Sequence, residues 1–263
     1  MRKGALACAL AALIAGCGAQ TRVVVAAGTT VVDSGFIDLV ASSFEESFPH
    51  IQLSVVGDAT AQVLELGRRG AADVLLTHSP PAEEAFLASE DTTRYVEVFT
   101  SRFVLLGPGT ERMRLSGLPV VEAMRAIGQG GLPFVSRADG SGTHLAELDL
   151  WRSAGIEPAG QPWYIETGQG MGPTLQVADQ RMAFTLSELG AFRRAEDVLS
   201  LVEVDVNADT ALQNPYHATV PARSEVRSEA ERFVDWLTSG EGRTAIGTAN
   251  RSLYGAETIY EVP

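Results

Sequence analysis

The sequence predicts an α/β fold with mostly parallel sheets, and three observations carry that expectation. Strand-like and helix-like segments alternate from Val23 to the C-terminal region, the order that parallel strands joined by crossover helices require. Several loops that leave a strand and open a helix are short, polar and rich in Gly, Ser or Thr. The chain of 263 residues is also long enough for one large domain or for two lobes, each with its own core.

In chain order, Val23–Ala27 reads as an apolar strand, followed by the polar turn Gly28-Thr29-Thr30. A helix is expected from near Ser34, because Phe36, Val40, Phe44 and Phe48 recur at a spacing of four. Ile51–Val56 reads as a strand, Gln62–Arg68 as a helix and Asp73–Thr77 as a buried strand. Pro80-Pro81 opens a short helix, since proline's fixed φ suits a first turn. Arg102–Leu106 is a strand ending at Gly107-Pro108-Gly109, Val121–Ile127 a helix and Pro133–Ser136 a strand. Ser141–Ala154 is a helix capped by Ser141. Trp163–Thr167 and Met182–Leu186 are strands on either side of a Gly-rich turn and a helix at Thr174–Asp179. Val198–Val206 and Ala218–Val220 are strands, and Glu225–Thr238 and Gly242–Ala249 helices.

The first residues point to export. Arg2 and Lys3 precede the apolar run Ala5–Gly16, a layout too short to span a bilayer and typical of a secretory signal. Ile14-Ala15-Gly16-Cys17 resembles a bacterial lipobox, so residues 1–16 are expected to be a lipoprotein signal peptide and Cys17 the lipidation site. The mature protein would then lie on the periplasmic or cell-surface side of a bacterial membrane, held by its lipid alone. Cys8 and Cys17 are the two cysteines, so the globular part offers no disulfide, cysteine zinc site or thiol nucleophile.

The net charge of −13 becomes −15 when Arg2 and Lys3 leave, with 247 residues remaining. That acidity argues against a nucleic-acid partner, which requires basic patches. Lys3 is the sole lysine, which excludes a Walker lysine, a Schiff base and a lysine general base from the mature chain.

Three strand-to-helix loops carry the candidate chemistry: Gly28–Gly35, Ser136–Thr143 and Thr167–Gly172. Glycines allow close backbone approach, hydroxyls donate hydrogen bonds, and the first N–H groups of a helix favour an anion. Arg137, in the second loop, adds a planar guanidinium able to give two parallel bonds to an oxyanion.

These loops, with Asp73-Val74-Leu75-Leu76-Thr77-His78, Phe134-Val135-Ser136-Arg137, Ser141-Gly142-Thr143-His144 and Trp163–Gly172, make the chain similar to the tungstate-binding proteins of ABC transporters. Asn214-Pro215-Tyr216 and Phe233–Leu237 fit the same family. The resemblance implies a two-lobe type 2 periplasmic-binding-protein fold with the ligand in the cleft. Lobe 1 would comprise residues 17–102 and 215–263 and lobe 2 residues 103–214, with crossings near Phe103 and Asn214. It implies capture of a tetrahedral oxyanion, tungstate or molybdate, for import by an ABC permease and its ATPase. The protein would be a monomer and would need no cofactor.

The implied oxyanion-binding residues are Thr29, Thr30, His78, Ser136, Arg137, Ser141, Gly142, Thr143, Thr167, Gly168, Gln169 and Gly170. Arg137, Thr30 and Thr143 would contact the metal-centred oxyanion itself, not a bare cation. The family has three threonines and a serine where this chain has Ala27-Gly28-Thr29-Thr30, so hydroxyls survive at the last two positions.

Phosphate- and sulfate-binding proteins of the same fold share a segment like Arg137–Thr143. Phosphate carries a proton near neutrality and needs an acceptor, supplied in that family by an aspartate where this chain has His78. Histidine there favours a fully ionised oxyanion, although a neutral ring can accept one bond. The reading from another class is a lipoprotein hydrolase using Ser141. Ala138 and Asp139 break the Gly-x-Ser-x-Gly nucleophile pattern, and His144 is poorly placed on the same helix to act as base.

Overall fold

The structure is a computed structural model that describes residues 20–111, 114–207 and 210–263. The predicted leader, 1–16, and Cys17 lie outside the described residues. The described chain contains nine strands: β1 (Thr21–Gly28), β2 (Ile51–Asp58), β3 (Val74–Thr77), β4 (Thr92–Pro108), β5 (Phe134–Ser136), β6 (Tyr164–Glu166), β7 (Thr185–Glu188), β8 (Leu201–Glu203) and β9 (Gln213–Pro221). The helices are α1 (Thr29–Asp33), α2 (Phe36–Ser47), α3 (Thr60–Arg68), α4 (Pro80–Leu87), α5 (Val120–Gly130), α6 (Gly142–Ala154), α7 (Met171–Arg181), α8 (Leu189–Arg193), α9 (Arg227–Thr238) and α10 (Gly240–Tyr254). Among the described residues no helix is long and apolar enough to cross a membrane.

The main sheet has the order β2-β1-β3-β9-β4-β7, with β8 also on β4, and β5 and β6 form a separate pair. Parallel pairing holds where helices cross over, in β2-β1-β3 and β5-β6. Every antiparallel pair involves β4 or β9. These two long strands run side by side from Thr92 opposite Pro221 to Arg102 opposite Gln213, and β4 then continues to pair with β7 and β8.

Side-chain alternation explains how one strand serves two cores. Val104 and Leu106 join the largest apolar cluster, whereas Phe103 and Leu105 join a second one built on α5, α6, β6 and β7. On β1, Val23, Val25 and Ala27 face the largest cluster, and Ala26 faces a third beneath α3 and α4. A strand covered on both faces reads as a continuous apolar run. The spacing-of-four pattern of α2 buries Phe36, Val40 and Phe44, and Phe44 meets Phe233 and Trp236 of α9 edge-on at 5.0 and 5.3 Å.

The predicted helix from Ser34 starts later. The segment after β1 first forms the five-residue α1, turns at Ser34-Gly35 with Gly35 at φ 73°, and only then enters α2. The strand predicted at Arg102–Leu106 is the end of the seventeen-residue β4. That predicted at Val198–Val206 shortens to Leu201–Glu203, behind a 3-10 turn at Glu196–Val198.

Candidate functional site

Three loops meet where β1, β5 and β6 end. The first passes from Gly28 into α1, so Thr29 and Thr30 occupy its first turn. The second, Arg137–Ser141, joins β5 to α6, with Ala138 at φ 49° and Gly140 at φ 71° turning the chain. The third, Thr167–Gly170, joins β6 to α7, with Gly168 at φ 64° and Gly170 as N-cap.

Arg137 ties the first two loops together. It is 1 % exposed, and burying a guanidinium without partners costs several kcal/mol. Its Nη1 donates to Thr30 Oγ1 at 2.9 Å and its Nη2 to Thr29 Oγ1 at 3.0 Å. Nε and Nη2 both donate to Asp139 Oδ2, at 3.0 and 2.6 Å. Asp139 Oδ1 accepts from the Ser141 backbone N–H at 3.1 Å, which fixes the arginine fork against the start of α6. Burial pushes the Asp139 carboxyl up, but the bonds from Ser141 and the charge of Arg137 outweigh it and hold it below the usual carboxylate range.

Ser141 caps α6 as predicted, accepting from the His144 N–H at 3.4 Å. His144 Nδ1 accepts from the Gly140 N–H at 3.0 Å. The remaining first-turn N–H groups, those of Gly142 and Thr143, are ones that helix geometry leaves without an intrahelical acceptor. Thr143 is buried, and its hydroxyl has no hydrogen-bond partner among the described residues.

His78 lies between the first and second loops. A Cβ added to Gly142 would stand 2.4 Å from its Cε1 and 2.5 Å from its Nε2, and one on Gly28 would stand 3.1 Å from Nε2. Glycine at both positions is what admits the ring. The ring stacks on Tyr216 at 4.6 Å, and Nδ1 lies 2.7 Å from Asn214 Oδ1. Burial lowers the His78 pKa, against the raising influence of Glu188, Asn214 and Glu83, which favours the neutral ring. A cavity of about 360 Å³ opens beside His78 and Gly142, lined also by Ser79, Phe103, Asp149 and Gln213.

Of the other predicted residues, Ser136 ends β5, and its hydroxyl accepts from the Ala138 N–H at 3.2 Å. Its carbonyl accepts from the Thr167 backbone N–H and hydroxyl at 3.1 and 3.0 Å. The Gln169 backbone N–H donates to the Arg137 carbonyl at 3.2 Å, while its side chain is exposed, as is Gly168. Gly170 faces α1, its added Cβ falling 3.9 Å from Asp33 Oδ2. The structure therefore gathers Thr29, Thr30, His78, Arg137, Gly142 and Thr143 closely. Ser136 and Thr167 serve as internal fastenings of loops two and three.

Sequence reading missed the support beneath these groups. Glu147 of α6 is 2 % exposed and accepts from Trp151 Nε1 at 3.1 Å and the Tyr164 hydroxyl at 2.7 Å. Burial lifts its pKa to about 7 despite those bonds. Asn214, Tyr216 and Glu188 stand behind His78; Asn214 and Tyr216 lie in a segment noted for its family resemblance, but their contact with His78, like the place of Glu188, is too distant in sequence to leave a local pattern. Among the described residues, no group of three or more His, Cys, Asp or Glu is arranged to hold a metal ion.

Comparison with known proteins places this arrangement. Residues 15–241 match the PBP superfamily domain. The chain is 35% identical over 246 residues to the tungstate-binding protein TupA of Peptoclostridium acidaminophilum, covering 90% of this chain and 85% of that protein. The crystal structure described as the tungstate ABC transporter from Geobacter sulfurreducens superposes with a TM-score of 0.75 at 31% identity, over 86% of this chain and 98% of that one. The tungstate-binding protein TupA from Desulfovibrio alaskensis G20 gives 0.78 at 29% identity, over 92% and 99%. This chain is a member of the PBP superfamily, in the family that includes these tungstate-binding proteins.

Proposed function

We propose that the protein captures a tetrahedral oxyanion, tungstate or the nearly identical molybdate, and delivers it to an ABC permease and its ATPase. The observation that carries this reading is Arg137: a buried cation in a chain of net charge −13, gripped from behind by Asp139 and directed at the two threonines of the first loop. The loop that carries it leads into the first turn of α6, where the Thr143 hydroxyl is buried without a hydrogen-bond partner among the described residues. A dianion at this junction would exchange its water shell for fixed N–H and O–H donors, which bind anionic oxygens more strongly than neutral ones.

The ion is taken from the relatives named for tungstate, and histidine in place of a carboxylate at position 78 agrees with it. In this reading, residues 17–102 with 215–263, and residues 103–214, form the lobes, and they close on the ion as β4 and β9 bend. The protein is exported, anchored through lipid on Cys17 and active as a monomer. Hydrolysis at Ser141 draws no support from the geometry, because Ser141 Oγ caps α6 and the His144 ring accepts from Gly140.

The test is stoichiometric. The soluble chain beginning at Ala19, incubated with tungstate and desalted, should retain close to one tungsten per chain by mass spectrometry. The Arg137→Ala variant should retain far less. A wild-type chain free of tungsten would overturn the function, and equal retention by the variant would overturn the site.

A further inference from the structure

His78 is backed by a chain of polar groups that leads away from the cleft into the junction of β7, β9 and α8. Its Nδ1 meets Asn214 Oδ1 at 2.7 Å. The Tyr216 hydroxyl, two residues along β9, donates to Glu188 Oε2 at 2.7 Å. Glu188 is fully buried at the N-cap of α8. The Asn214 side chain lies within interaction range of the Tyr216 hydroxyl, although its Nδ2 makes no regular hydrogen bond among the described residues.

The direction of each bond follows from the buried carboxylate. Glu188 accepts, so Tyr216 spends its one hydrogen there and presents only lone pairs to Asn214. Turning the amide round would set Asn214 Oδ1 against those lone pairs. The structure sets Oδ1 toward His78, and because an amide oxygen only accepts, Nδ1 of the imidazole must carry the hydrogen. Nε2 is left with a lone pair on the edge that lies against Gly28 and Gly142.

We infer that Glu188, Tyr216 and Asn214 are positioning residues that hold His78 in the Nδ1–H form, so that oxyanion capture brings one proton from solvent onto Nε2. This rests on the oxyanion reading above. A fully ionised oxyanion beside a bare lone pair is repelled; the same anion beside an imidazolium N–H gains a charge-assisted bond. The proton comes from bulk water and is returned when the ion leaves.

The groups around the ring set the balance. Burial, with Arg137, disfavours the charged form in the ligand-free protein, while Glu188 and Glu83 favour it. Tyr216 and Phe103 supply uncharged faces, and Asp149 of α6 lines the same cavity. A dianion added to this set tips it toward imidazolium. Above the pKa of the unliganded ring, tungstate affinity should then fall by up to about tenfold per pH unit.

Two measurements decide the matter. Nitrogen-15 spectra of the ligand-free protein at pH 8 should show His78 protonated at Nδ1, assigned by its loss in His78→Gln. His144, whose Nδ1 accepts from Gly140, should show the opposite form. Tyr216→Phe, which frees the amide to turn, should shift His78 toward Nε2–H. Calorimetry with tungstate in two buffers of different ionisation enthalpy should give uptake of close to one proton in wild type, and much less in His78→Gln and Tyr216→Phe. A wild-type ring with its hydrogen on Nε2 overturns the relay, whether or not tungstate binds. Tight binding with no proton uptake overturns the coupling while leaving the function standing, and silence toward tungstate contradicts the function while the ring spectrum still decides the relay.

Discussion

Arg137 and His78 approach the junction from different segments, and each depends on glycine or carboxylate support more than on its own chemistry. Removing the guanidinium by Arg137→Ala should weaken tungstate binding by about 2 kcal/mol or more, some thirtyfold, as loss of a buried charged partner does; titration of the variant measures it. Gly142→Ala is a sharper probe. Its methyl would fall 2.4 Å from a ring held between Tyr216 and the loops, so His78 must move. Oxyanion affinity should drop at least tenfold while thermal unfolding shows a cost of about 1–3 kcal/mol, the usual size for overpacking. Wild-type affinity in Gly142→Ala would show that the ring's position is irrelevant. Arg137, Gly142 and Thr143 were legible in the sequence because a strand, a Gly-Ser-Gly turn and a helix start lie together in it. Glu188 was not, and Asn214, named only within a family-like segment, gave no sign of its contact with His78, since only folding brings them there.

At the scale of elements, α6 does two tasks. Its N-terminus faces the site, and one turn in, Glu147 anchors Trp151 and Tyr164 beneath the second loop. The raised Glu147 pKa, about 7 against an ordinary 4.5, has a definite sign. The folded state holds the proton more tightly than the unfolded chain, so the ionisation penalty is absent below about pH 4.5 and complete above about pH 7. It reaches at most about 3 kcal/mol. Glu147→Gln should therefore gain stability relative to wild type as pH rises from 5 to 8, read as a widening difference in Tm. A constant difference would mean that Glu147 ionises freely.

Elements with strong periodicity, such as α2, were readable, whereas β4 was mostly hidden. Its first half, Thr92–Phe99, mixes Arg94 and Glu97 into the strand and carries two register shifts against β9, so neither alternation nor an apolar run survives. The five residues of α1 are too few for a 3.6-residue period to show.

On the scale of the whole molecule, local patterns predicted the parallel portions and left the antiparallel centre to tertiary contacts. The pairing of β4 with β9 joins segments far apart in sequence, and these strands connect the two larger apolar clusters through Val104, Leu106, Phe103 and Leu105. That places the loops with Thr29, His78 and Arg137 at one junction, and in the two-lobe reading proposed above a small relative movement of the lobes would open or close the site. The overall acidity does not oppose capture, because salt screens distant charges while the enclosed donors act at contact range.

The most direct test of the central claim is calorimetric titration of the soluble chain with tungstate, molybdate, sulfate and phosphate in separate runs. Tungstate should bind tightly and one to one, molybdate similarly, and phosphate should give little or no heat. Tight phosphate binding with tungstate silent would contradict the claim, and would make His78 or Asp139 the acceptor of a proton that the ligand brings with it.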